Sequence, residues 1–444
     1  MAITKEQSST TQDPEGGFPP GFEDQPGVRE ALRAIDAEAP VVFVLGRAGT
    51  GKTTFVRYLK ERHETKRQVV LAPTGVAALN ARGQTIHSFF WLPPRLLLPE
   101  ELKPGRTRRL WREIGRVIVD EISMVRVDVI DAIDLVLRRA RESTEPFGGV
   151  QMVFVGDFLQ LPPVTPAAEA EMLFHMGYES PFAFSARALE TADPDVVRLE
   201  TIHRQADPEF IDLLGRLRDN EDVEGALATL NAACVRAHRP AAQPMLLCGT
   251  NARADRYNAQ GLAAIADEPV TYEGRGSGSF DRQRDRLPVP ETLVLKPGAR
   301  VMAVKNDLQG RWVNGSLGTV AHLQPDSVGV RLDDGGRLVD IERRTWDKIQ
   351  YSWDEKAKRV ASEAVGSYAQ IPLILAWAAT IHKAQGLTLD DVRIDLERGA
   401  FASGQAYVAL SRARSLDGLS LTRPLRPSDV LVDPVLAEFD RRSQ

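Results

Sequence analysis

The chain contains 444 residues, of which 43% are hydrophobic, and its 56 Lys and Arg against 61 Asp and Glu give a formal net charge of −5. A protein of this size is expected to form about three or four domains. The net charge argues against holding nucleic acid by bulk positive charge but does not exclude a narrow binding channel. Two cysteines exclude a disulfide framework and are not spaced as a metal site. Apolar runs are too short for a membrane span or a signal peptide, which predicts an intracellular, cytoplasmic protein, nucleoid-associated if bacterial.

A phosphate-binding loop is predicted near the start of the folded chain. Residues 1–24 lack apolar periodicity and are expected to form a flexible tail. The apolar run 41–45 then predicts a buried strand, and Gly-Arg-Ala-Gly-Thr-Gly-Lys-Thr at 46–53 leads into a helical pattern. In G-x-x-x-x-G-K-[ST], backbone N–H groups hold phosphates, the lysine neutralises them and the hydroxyl reaches Mg²⁺. A glycine-rich turn that matches by chance is the alternative, but the strand, loop and helix together favour nucleotide binding.

An α/β pattern continues after this loop. Strand-like runs at 69–71, 117–119, 152–155 and 196–199 alternate with helical patterns, which predicts a parallel sheet covered on both faces. This first domain is predicted over residues 25–200. Residues 89–116 interrupt the pattern with Trp91, prolines and a basic run, so we interpret them as an inserted wedge-like subdomain. The basic run is either a solvated helix face or a nucleic-acid contact.

A second α/β core is predicted from residues 201–260 and 370–444. It begins with the apolar run 245–248 and returns at 373–378, 392–395 and 419–421. Between its two parts, residues 261–369 contain a Gly- and Ser-rich loop and short alternating segments. Alternation around tight turns is typical of antiparallel strands, so this insert is predicted to be a flexible loop and a small antiparallel β-barrel.

The strand at 117–119 ends in Asp120 and Glu121, which suits the second half of a phosphohydrolase site. Asp120 would join Thr53 in the Mg²⁺ shell, while Glu121 would polarise the attacking water. An acidic helix start favoured by the helix dipole is the alternative.

Several motifs together resemble superfamily-one helicases and, more narrowly, the petite-integration-frequency (PIF) helicase family. The first two are Ile-Val-Asp-Glu-Ile-Ser-Met-Val at 118–125 and Gly-Asp-Phe-Leu-Gln-Leu-Pro-Pro-Val at 156–164. The others, in chain order, are segments 85–90, 137–140 with 146–151, 313–320, 380–388 and 405–413. The resemblance covers about residues 28–425. It implies two RecA-like P-loop domains carrying the two inserts.

The resemblance also implies roles at the nucleotide. Gln160 would sense the γ-phosphate, and Arg204 and Arg412, assigned to the second core, would act as arginine fingers across the cleft. Each arginine has the alternative of a surface cation near a helix end. The implied catalytic residues are Lys52, Asp120, Glu121, Gln160, Arg204 and Arg412. The implied nucleotide-binding residues are Gly46, Ala48, Gly49, Thr50, Gly51, Lys52, Thr53, Thr54 and Gly386, with Gln25 as the adenine-reading candidate.

The same resemblance implies a DNA path on both cores, opposite the nucleotide. The implied contacts to backbone or stacked bases are Pro73, Thr74, His87, Ser88, Phe89, Asn251, Thr380, His382 and Lys383. Structural alternatives are open for four of them: Thr74 as a helix cap, His87 and His382 as interior histidines, and Phe89 as core.

The sequence therefore leads us to expect a monomeric ATP-dependent DNA helicase that uses ATP and Mg²⁺. The resemblance implies 5′-to-3′ movement on single-stranded DNA, unwinding of duplex or junction DNA with a pin from residues 89–116, and a role in repair, recombination or replication. A small-molecule phosphotransferase is a competing hypothesis, against which the motif around Arg412 argues. An ATP-gated single-strand-binding remodeller with little unwinding is another, against which Glu121 and Gln160 argue.

Overall fold

The structure is a computed structural model that describes most of the chain. It describes residues 18–62, 67–98, 102, 108–205, 207–235, 244–280, 287–307, 309–354, 359–397 and 399–443. Two parallel sheets and an antiparallel insert form the frame of the protein. Within these ranges, no helix combines the length and the apolar character needed to cross a bilayer.

The first domain is a parallel sheet covered by helices. Its elements are α1 (Pro26–Asp36), β1 (Val41–Gly46), α2 (Lys52–Arg62), β2 (Gln68–Ala72), α3 (Gly75–Asn80), β3 (Gln84–Thr85), α4 (Ile86–Phe90), α5 (Arg108–Glu113), β4 (Arg116–Val119), α6 (Val127–Arg141), β5 (Gln151–Gly156), α7 (Ala167–His175), α8 (Arg187–Glu190) and β6 (Asp195–Leu199). The six strands pair in parallel in the order β3-β2-β4-β5-β1-β6. Strands β1, β4 and β5 are buried along their whole length because helices cover both faces of the sheet.

The chain then enters a second domain and leaves it for an antiparallel insert. The first part of the second domain comprises α9 (Pro208–Asp219), α10 (Val223–Cys234), β7 (Met245–Cys248) and α11 (Asn251–Ala263). The insert comprises β8 (Val270–Glu273), β9 (Arg275–Gly278), β10 (Thr292–Leu295), β11 (Arg300–Ala303), β12 (Leu317–Leu323), β13 (Ser327–Leu332), β14 (Leu338–Glu342), β15 (Arg344–Asp354), β16 (Arg359–Gln370) and β17 (Leu373–Leu375). Its strands form sheets β14-β13-β12-β11-β17, β15-β16-β9 and β10-β8, so the predicted antiparallel character is confirmed.

The second parallel sheet is completed after the insert. The remaining elements are β18 (Ala378–Thr380), β19 (Val392–Asp395), α12 (Gln405–Leu410), β20 (Leu419–Leu421) and α13 (Pro434–Arg442). The strand order β18-β7-β19-β20 brings together segments from both sides of the insert, and all three pairings are parallel. The mixed α/β class with two parallel sheets is therefore the one that the sequence predicted.

Helix α13 differs from its predicted place in the second domain because it packs on the first. Phe439 stacks on Phe184 with ring centroids 4.1 Å apart, and its ring also meets Phe43 and Phe158. Arg198, on β6, donates to a carboxylate oxygen of Asp440 at 2.9 Å. Aromatic burial and this ion pair therefore hold the last helix against the first domain.

The segment before α1 is also more ordered than predicted. Phe22 belongs to the apolar cluster beneath α1 and α2, and Phe18 packs edge-to-face on Tyr58 at 4.9 Å. Residues 18–24 are thus part of the first domain because their aromatic side chains fill its surface. The rest of the predicted tail, 1–17, lies outside the described residues.

The described parts of the predicted wedge, 89–98, 102 and 108–116, contribute to the first core. Phe90, Leu97 and Trp111 are buried in the same cluster as α6. Arg116 is buried as well and donates to Gln151 at 2.6 Å, so it is an interior cation. Trp91 is the exception: it follows α4 with a left-handed backbone (φ 56°), and 53% of it is exposed. Residues 99–101 and 103–107 of the predicted wedge lie outside the described part.

Strands β15 and β16 form a hairpin that reaches from the insert to the first domain. The buried Tyr351 accepts a hydrogen bond from the backbone N–H of Val70 on β2 at 3.3 Å. Its ring packs edge-to-face on Phe89, with centroids 6.0 Å apart. Strand β3 pairs only with Leu71 and Ala72 of β2. The hairpin therefore accepts a hydrogen bond from a backbone N–H of β2 that β3 does not reach.

Candidate nucleotide site

The candidate site lies at the carboxyl edge of the first sheet. The loop 46–53 follows β1, Asp120 follows β4, and Asp157 follows β5, which lies between those two strands. Parallel strands end at the same edge, so the three segments converge there. The sequence predicted the first two of these positions and their proximity.

The geometry of the phosphate loop requires glycine at two positions. Gly49 and Gly51 have φ of +85° and +83°, and a Cβ on Gly49 would lie 2.5 Å from Cβ of Arg204. Lys52 begins α2, and its Nζ donates to the carbonyl oxygens of Gly46 and Arg47, both at 2.8 Å. Burial lowers the pKa of Lys52, and nearby carboxylates oppose that shift. The lysine therefore lies folded onto its own loop.

The remaining predicted residues of this loop surround the lysine. The buried Thr50 donates from its hydroxyl to the carbonyl of Arg47 at 3.0 Å, whereas Thr53 is exposed and Thr54 is half-buried at the start of α2. Ala48 is buried, and its backbone N–H donates to the hydroxyl of Tyr407 at 3.1 Å. Tyr407 lies on α12 of the second domain, so this hydrogen bond joins the phosphate loop to that domain.

Asp120 and Glu121 form an acidic pair beside the loop. Asp120 is 5% exposed, and one of its carboxylate oxygens accepts from the backbone N–H of Glu121 at 2.9 Å. Burial, followed by the charge of Glu121, raises the pKa of Asp120 to about 7. Glu121 has a left-handed backbone (φ 54°), and its Oε2 accepts from Nε2 of Gln385 at 3.2 Å. Gln385 belongs to the second domain and had not been singled out from the sequence.

Gln160 is buried next to Asp157, which follows β5. Its Nε2 donates to Oδ2 of Asp157 at 3.1 Å, and its backbone N–H donates to the carbonyl of Asp157 at 3.0 Å. A Cβ on Gly404 would lie 2.4 Å from the carbonyl oxygen of Leu159, so the start of α12 packs directly on this loop. The predicted γ-phosphate sensor therefore lies at the boundary between the domains.

Arg204 and Arg412 approach the site from the other side of the cleft. Arg204 lies in the segment that joins β6 to α9, rather than within the second core, and donates to the carbonyls of Ser411 and Gly386 at 3.3 and 3.4 Å. Arg412 is 1% exposed and donates to the carbonyls of Val408 and Leu387 at 2.8 and 3.3 Å. Burial and the charge of Arg204 lower the pKa of Arg412 to about 9. The alternative of a surface cation is therefore wrong for Arg412.

Three cations thus share the cleft without ion pairs. Within the described part of the chain, no carboxylate oxygen lies within 4.0 Å of a charged nitrogen of Lys52, Arg204 or Arg412. Carbonyl oxygens and, for Arg412, the hydroxyl of Ser411 accept from their donors. Nearby carboxylates offset the cost of burial only in part, because the pKa of each of the three groups is lowered. A polyanion bound between the domains would supply that compensation.

Other contacts that the sequence did not indicate join the segment after β6 to the second domain and to the phosphate loop. The side-chain amide of Gln205 donates to the carbonyls of Ser411 and Ala413 at 3.1 and 3.0 Å. The backbone N–H of His203 donates to the carbonyl of Gly49 at 2.9 Å. Gln205 and Tyr407 lie beside or within recognised motifs, but neither residue type marks a nucleotide site by itself. The contacts of Gln205 and Tyr407 can be recognised only in the three-dimensional structure, where both domains are present.

The two remaining nucleotide candidates lie near the loop. Gln25 is the half-buried residue that precedes α1, and the ring of Phe22, three residues earlier, lies 3.7 Å from a Cβ placed on Gly51. Gly386 is exposed, has φ of +82° and accepts from Arg204 through its carbonyl. The adenine-reading role of Gln25 and the nucleotide contact of Gly386 stay predictions.

The DNA candidates of the first domain lie around α3 and α4. Thr74 caps α3 by accepting from Ala77 N–H at 3.2 Å, and Phe89 is buried, so both have the structural role given as their alternative. His87 is half-buried, and burial, followed by the charge of Arg126, lowers its pKa. Pro73 is half-buried before the cap, and Ser88 is exposed. The hairpin residue Tyr351 contacts Phe89, so the insert adjoins this face.

The DNA candidates of the second domain lie at strand ends of its sheet. Thr380 is buried at the end of β18 and accepts from Lys383 N–H at 3.2 Å. His382 is half-buried, while Lys383 and Asn251, the first residue of α11, are exposed. The DNA roles of all nine candidates stay predictions.

A phosphate loop, an acidic pair and arginines at the cleft between two parallel-sheet domains define a P-loop nucleotide-hydrolase architecture. Comparison with known proteins narrows this class. A family model described as PIF1-like helicase matches residues 23–220. ATP-dependent DNA helicase Pif1 of Bdellovibrio bacteriovorus is 34% identical over 406 residues, which cover 90% of this chain and 87% of that protein. The chain belongs to the PIF1-like helicase family.

A fungal relative and two solved structures of Bacteroides Pif1 are also similar to most of this chain. ATP-dependent DNA helicase PIF1 of Emericella nidulans is 32% identical over 511 residues, which cover 98% of this chain but only 65% of that protein. The crystal structure of Bacteroides sp Pif1 with ADP-AlF4 is 37% identical, with a TM-score of 0.87 over 94% of this chain and 96% of that one. The crystal structure of Bacteroides Pif1 bound to ssDNA has a TM-score of 0.67, also at 37% identity and the same coverage.

Proposed function

We propose that this chain is an ATP-dependent DNA helicase that moves 5′ to 3′ on single-stranded DNA. The observation that carries the proposal is the set of three unpaired cations, Lys52 from one domain and Arg204 and Arg412 from across the cleft, facing the Asp120–Glu121 pair. A triphosphate would compensate these charges and join the two domains. Relatives named as ATP-dependent DNA helicases and the ADP-AlF4 complex of Bacteroides sp Pif1 support ATP as that ligand.

The residues of the site suit hydrolysis driven by domain closure. Lys52 would leave the loop carbonyls for the phosphates, and Gln160 would contact the terminal phosphate. Glu121, held by Gln385, would accept the proton of the attacking water. Arg204 and Arg412 would stabilise the charge that develops in the transition state. Tyr407 and Gln385 already bridge the cleft without a nucleotide. Loss of the phosphate would release the contacts that Arg204 and Arg412 make with it and so weaken the closed arrangement of the domains.

Thr53 and Asp120 would hold Mg²⁺ in this proposal. Hydroxyl and carboxylate oxygens are hard donors that suit this ion, and the Asp120 carboxylate has no ion pair within 4.0 Å among the described residues. When bound, Mg²⁺ supplies charge neutralisation for the phosphate oxygens.

Nucleotide binding should release a proton from Asp120. Its raised pKa of about 7 means that the carboxyl is neutral below that pH, whereas Mg²⁺ and nucleotide require the ionised form. About half a proton should leave per bound Mg·ADP at pH 7, and affinity should rise between about pH 6 and 8. Calorimetry at saturating Mg²⁺ in buffers of different ionisation enthalpy measures the release. Equal heats in all buffers at pH 7 would contradict the assignment, and measurements at about pH 9, where release should vanish, provide the control.

DNA would run across both domains on the face away from the nucleotide. The ssDNA complex of Bacteroides Pif1 supports a single strand as the track. Ser88, Lys383 and Asn251 are exposed at the predicted contacts, and Trp91, exposed at the end of α4, offers a stacking surface for the predicted pin. We further propose that the protein acts as a cytoplasmic monomer, associated with the nucleoid if it is bacterial, on single strands and junctions in repair, recombination or replication.

The two competing functions are less consistent with the site. A small-molecule phosphotransferase would have its substrate residues in one core, whereas here the phosphate loop meets Tyr407 and Arg204 from beyond the first sheet. An ATP-gated strand-binding remodeller would need neither the Glu121–Gln385 contact nor the buried Gln160.

Unwinding of partial duplexes with either a 5′ or a 3′ single-stranded tail tests the proposal. Only the 5′-tailed substrate should be unwound with ATP and Mg²⁺, and single-stranded DNA should raise ATP hydrolysis about tenfold or more. Unwinding of the 3′-tailed substrate alone would reverse the direction. ATP turnover that DNA does not change would contradict a DNA motor, and DNA-stimulated turnover without unwinding would favour the remodeller.

A further inference from the structure

A buried arginine of the second domain lies behind the predicted phosphate sensor. Arg218 on α9 donates from Nη2 to Oδ1 of Asp157 at 3.1 Å, and it is 4% exposed. It also donates to Oδ1 of Asp219 at 2.6 Å and to Oδ2 of Asp440 at 3.2 Å. One guanidinium therefore joins the first sheet, its own helix and helix α13.

Asp157 connects this arginine to the nucleotide site. Its Oδ1 faces Arg218, while its Oδ2 accepts from the side-chain amide of Gln160 at 3.1 Å. Burial would raise the pKa of Asp157, but the charges of Arg218 and Lys52 outweigh it and hold that pKa below its usual range. An ionised Asp157 accepts only, so the amide nitrogen of Gln160 must face it and the amide oxygen must face away.

The cluster is also fixed to both domains. Asp440, which Arg218 contacts, accepts from Arg198 on β6 as well, and Asp219 accepts from Arg47 in the phosphate loop at 2.6 Å. Three carboxylates and three arginines are thus combined across the domain boundary. In a buried network, the loss of the central cation would leave several carboxylates unpaired.

We infer that Arg218 is a positioning residue that acts through Asp157 to set the amide orientation of Gln160 for recognition of the terminal phosphate. The inference rests on the proposed function, because it gives Gln160 its part in ATP hydrolysis. Arg218 lies in the second domain, so the orientation of the sensor depends on the contact between the domains. A merely structural ion pair would stabilise the fold without this dependence.

The test compares Arg218→Met with Arg216→Met on the same helix. Arg216 pairs with Asp222 and Asp212, outside the cluster, and serves as the matched control. With saturating single-stranded DNA, Arg218→Met should lower kcat for ATP about tenfold to a hundredfold and change KM and DNA affinity by less than about threefold. Arg216→Met should behave as the unaltered chain.

A double-mutant cycle with Gln160→Ala separates positioning from stability. If Arg218 acts through Gln160, the double variant should be no slower than the slower single variant, within about twofold. Multiplied losses of kcat would overturn the inference. Arg218→Lys keeps the charge but loses the forked geometry, and it should fold even if Arg218→Met does not. The kcat of Arg218→Lys should also fall, and adding Gln160→Ala to it should again lower kcat no further than the slower single variant. Full activity of Arg218→Lys would overturn the inference.

The outcomes also distinguish this inference from the proposed function. An unaltered chain that does not hydrolyse ATP with DNA would overturn the proposed function and, with it, the inference. An active chain in which both Arg218 variants match Arg216→Met would overturn the inference alone.

Discussion

Replacement of Glu121 by glutamine should lower DNA-stimulated ATP hydrolysis by about a hundredfold or more while ATP and DNA still bind. Glutamine keeps the size of the side chain and can still pair with Gln385, but it cannot accept a proton from water. The left-handed backbone at this position fixes where the side chain starts. Steady-state turnover, together with fluorescence titrations of nucleotide and single-stranded DNA, measures the three quantities.

The exposed Glu30 on α1 provides a matched control for this substitution. Glu30→Gln should change neither turnover nor binding, because the residue lies on the surface of the first domain. Turnover retained in Glu121→Gln would assign the general base to another group. Loss of ATP binding as well as turnover would show instead that Glu121 is required to form the site.

Replacement of Arg412 by alanine should lower kcat by about a thousandfold and change DNA affinity by less than about threefold. The side chain is buried at the cleft, and its hydrogen-bond partners are two carbonyl oxygens and the hydroxyl of Ser411, none of them charged, so its charge is available to a phosphate. The hydrogen bonds from Arg412 to Val408, Leu387 and Ser411 would also be lost. Thermal unfolding must therefore be measured beside turnover, and Arg412→Lys should retain more stability than activity.

Arg414, two residues further along, is the matched control for Arg412. It is exposed and pairs with Asp390 at 3.2 Å, so Arg414→Ala should leave turnover unchanged. Equal losses of DNA binding and hydrolysis in Arg412→Ala would place this residue on the DNA side of the second domain.

The sequence predicted the parts of the site that depend on local patterns. A buried strand followed by a glycine-rich loop and a helix places Lys52 after the carboxyl end of β1. An apolar run before Asp120 places that carboxylate after the carboxyl end of β4. Parallel pairing then requires the two to meet. Apolar runs and alternating segments also predicted the second domain and the antiparallel insert that divides it.

The contacts across the cleft could not be predicted in this way. Gln385 reaches Glu121 over 264 positions, and Tyr407 reaches Ala48 over 359, so no periodicity links the partners. The sequence does not distinguish the structural roles of Thr74 and Phe89 from DNA contact, because helix capping and burial use the same residue types. The place of helix α13 depends on Phe184, whose need for an aromatic partner has no local signature.

Helix α13 has a consequence for the order in which the protein forms. Its Phe439 completes an aromatic cluster with Phe43, Phe158 and Phe184, all of which precede it by more than two hundred positions. During synthesis, the first sheet therefore emerges from the ribosome before the helix whose Phe439 packs on these rings, so they stay less covered until α13 follows. Synthesis of α13, rather than completion of the first sheet, is therefore the event that completes this aromatic cluster.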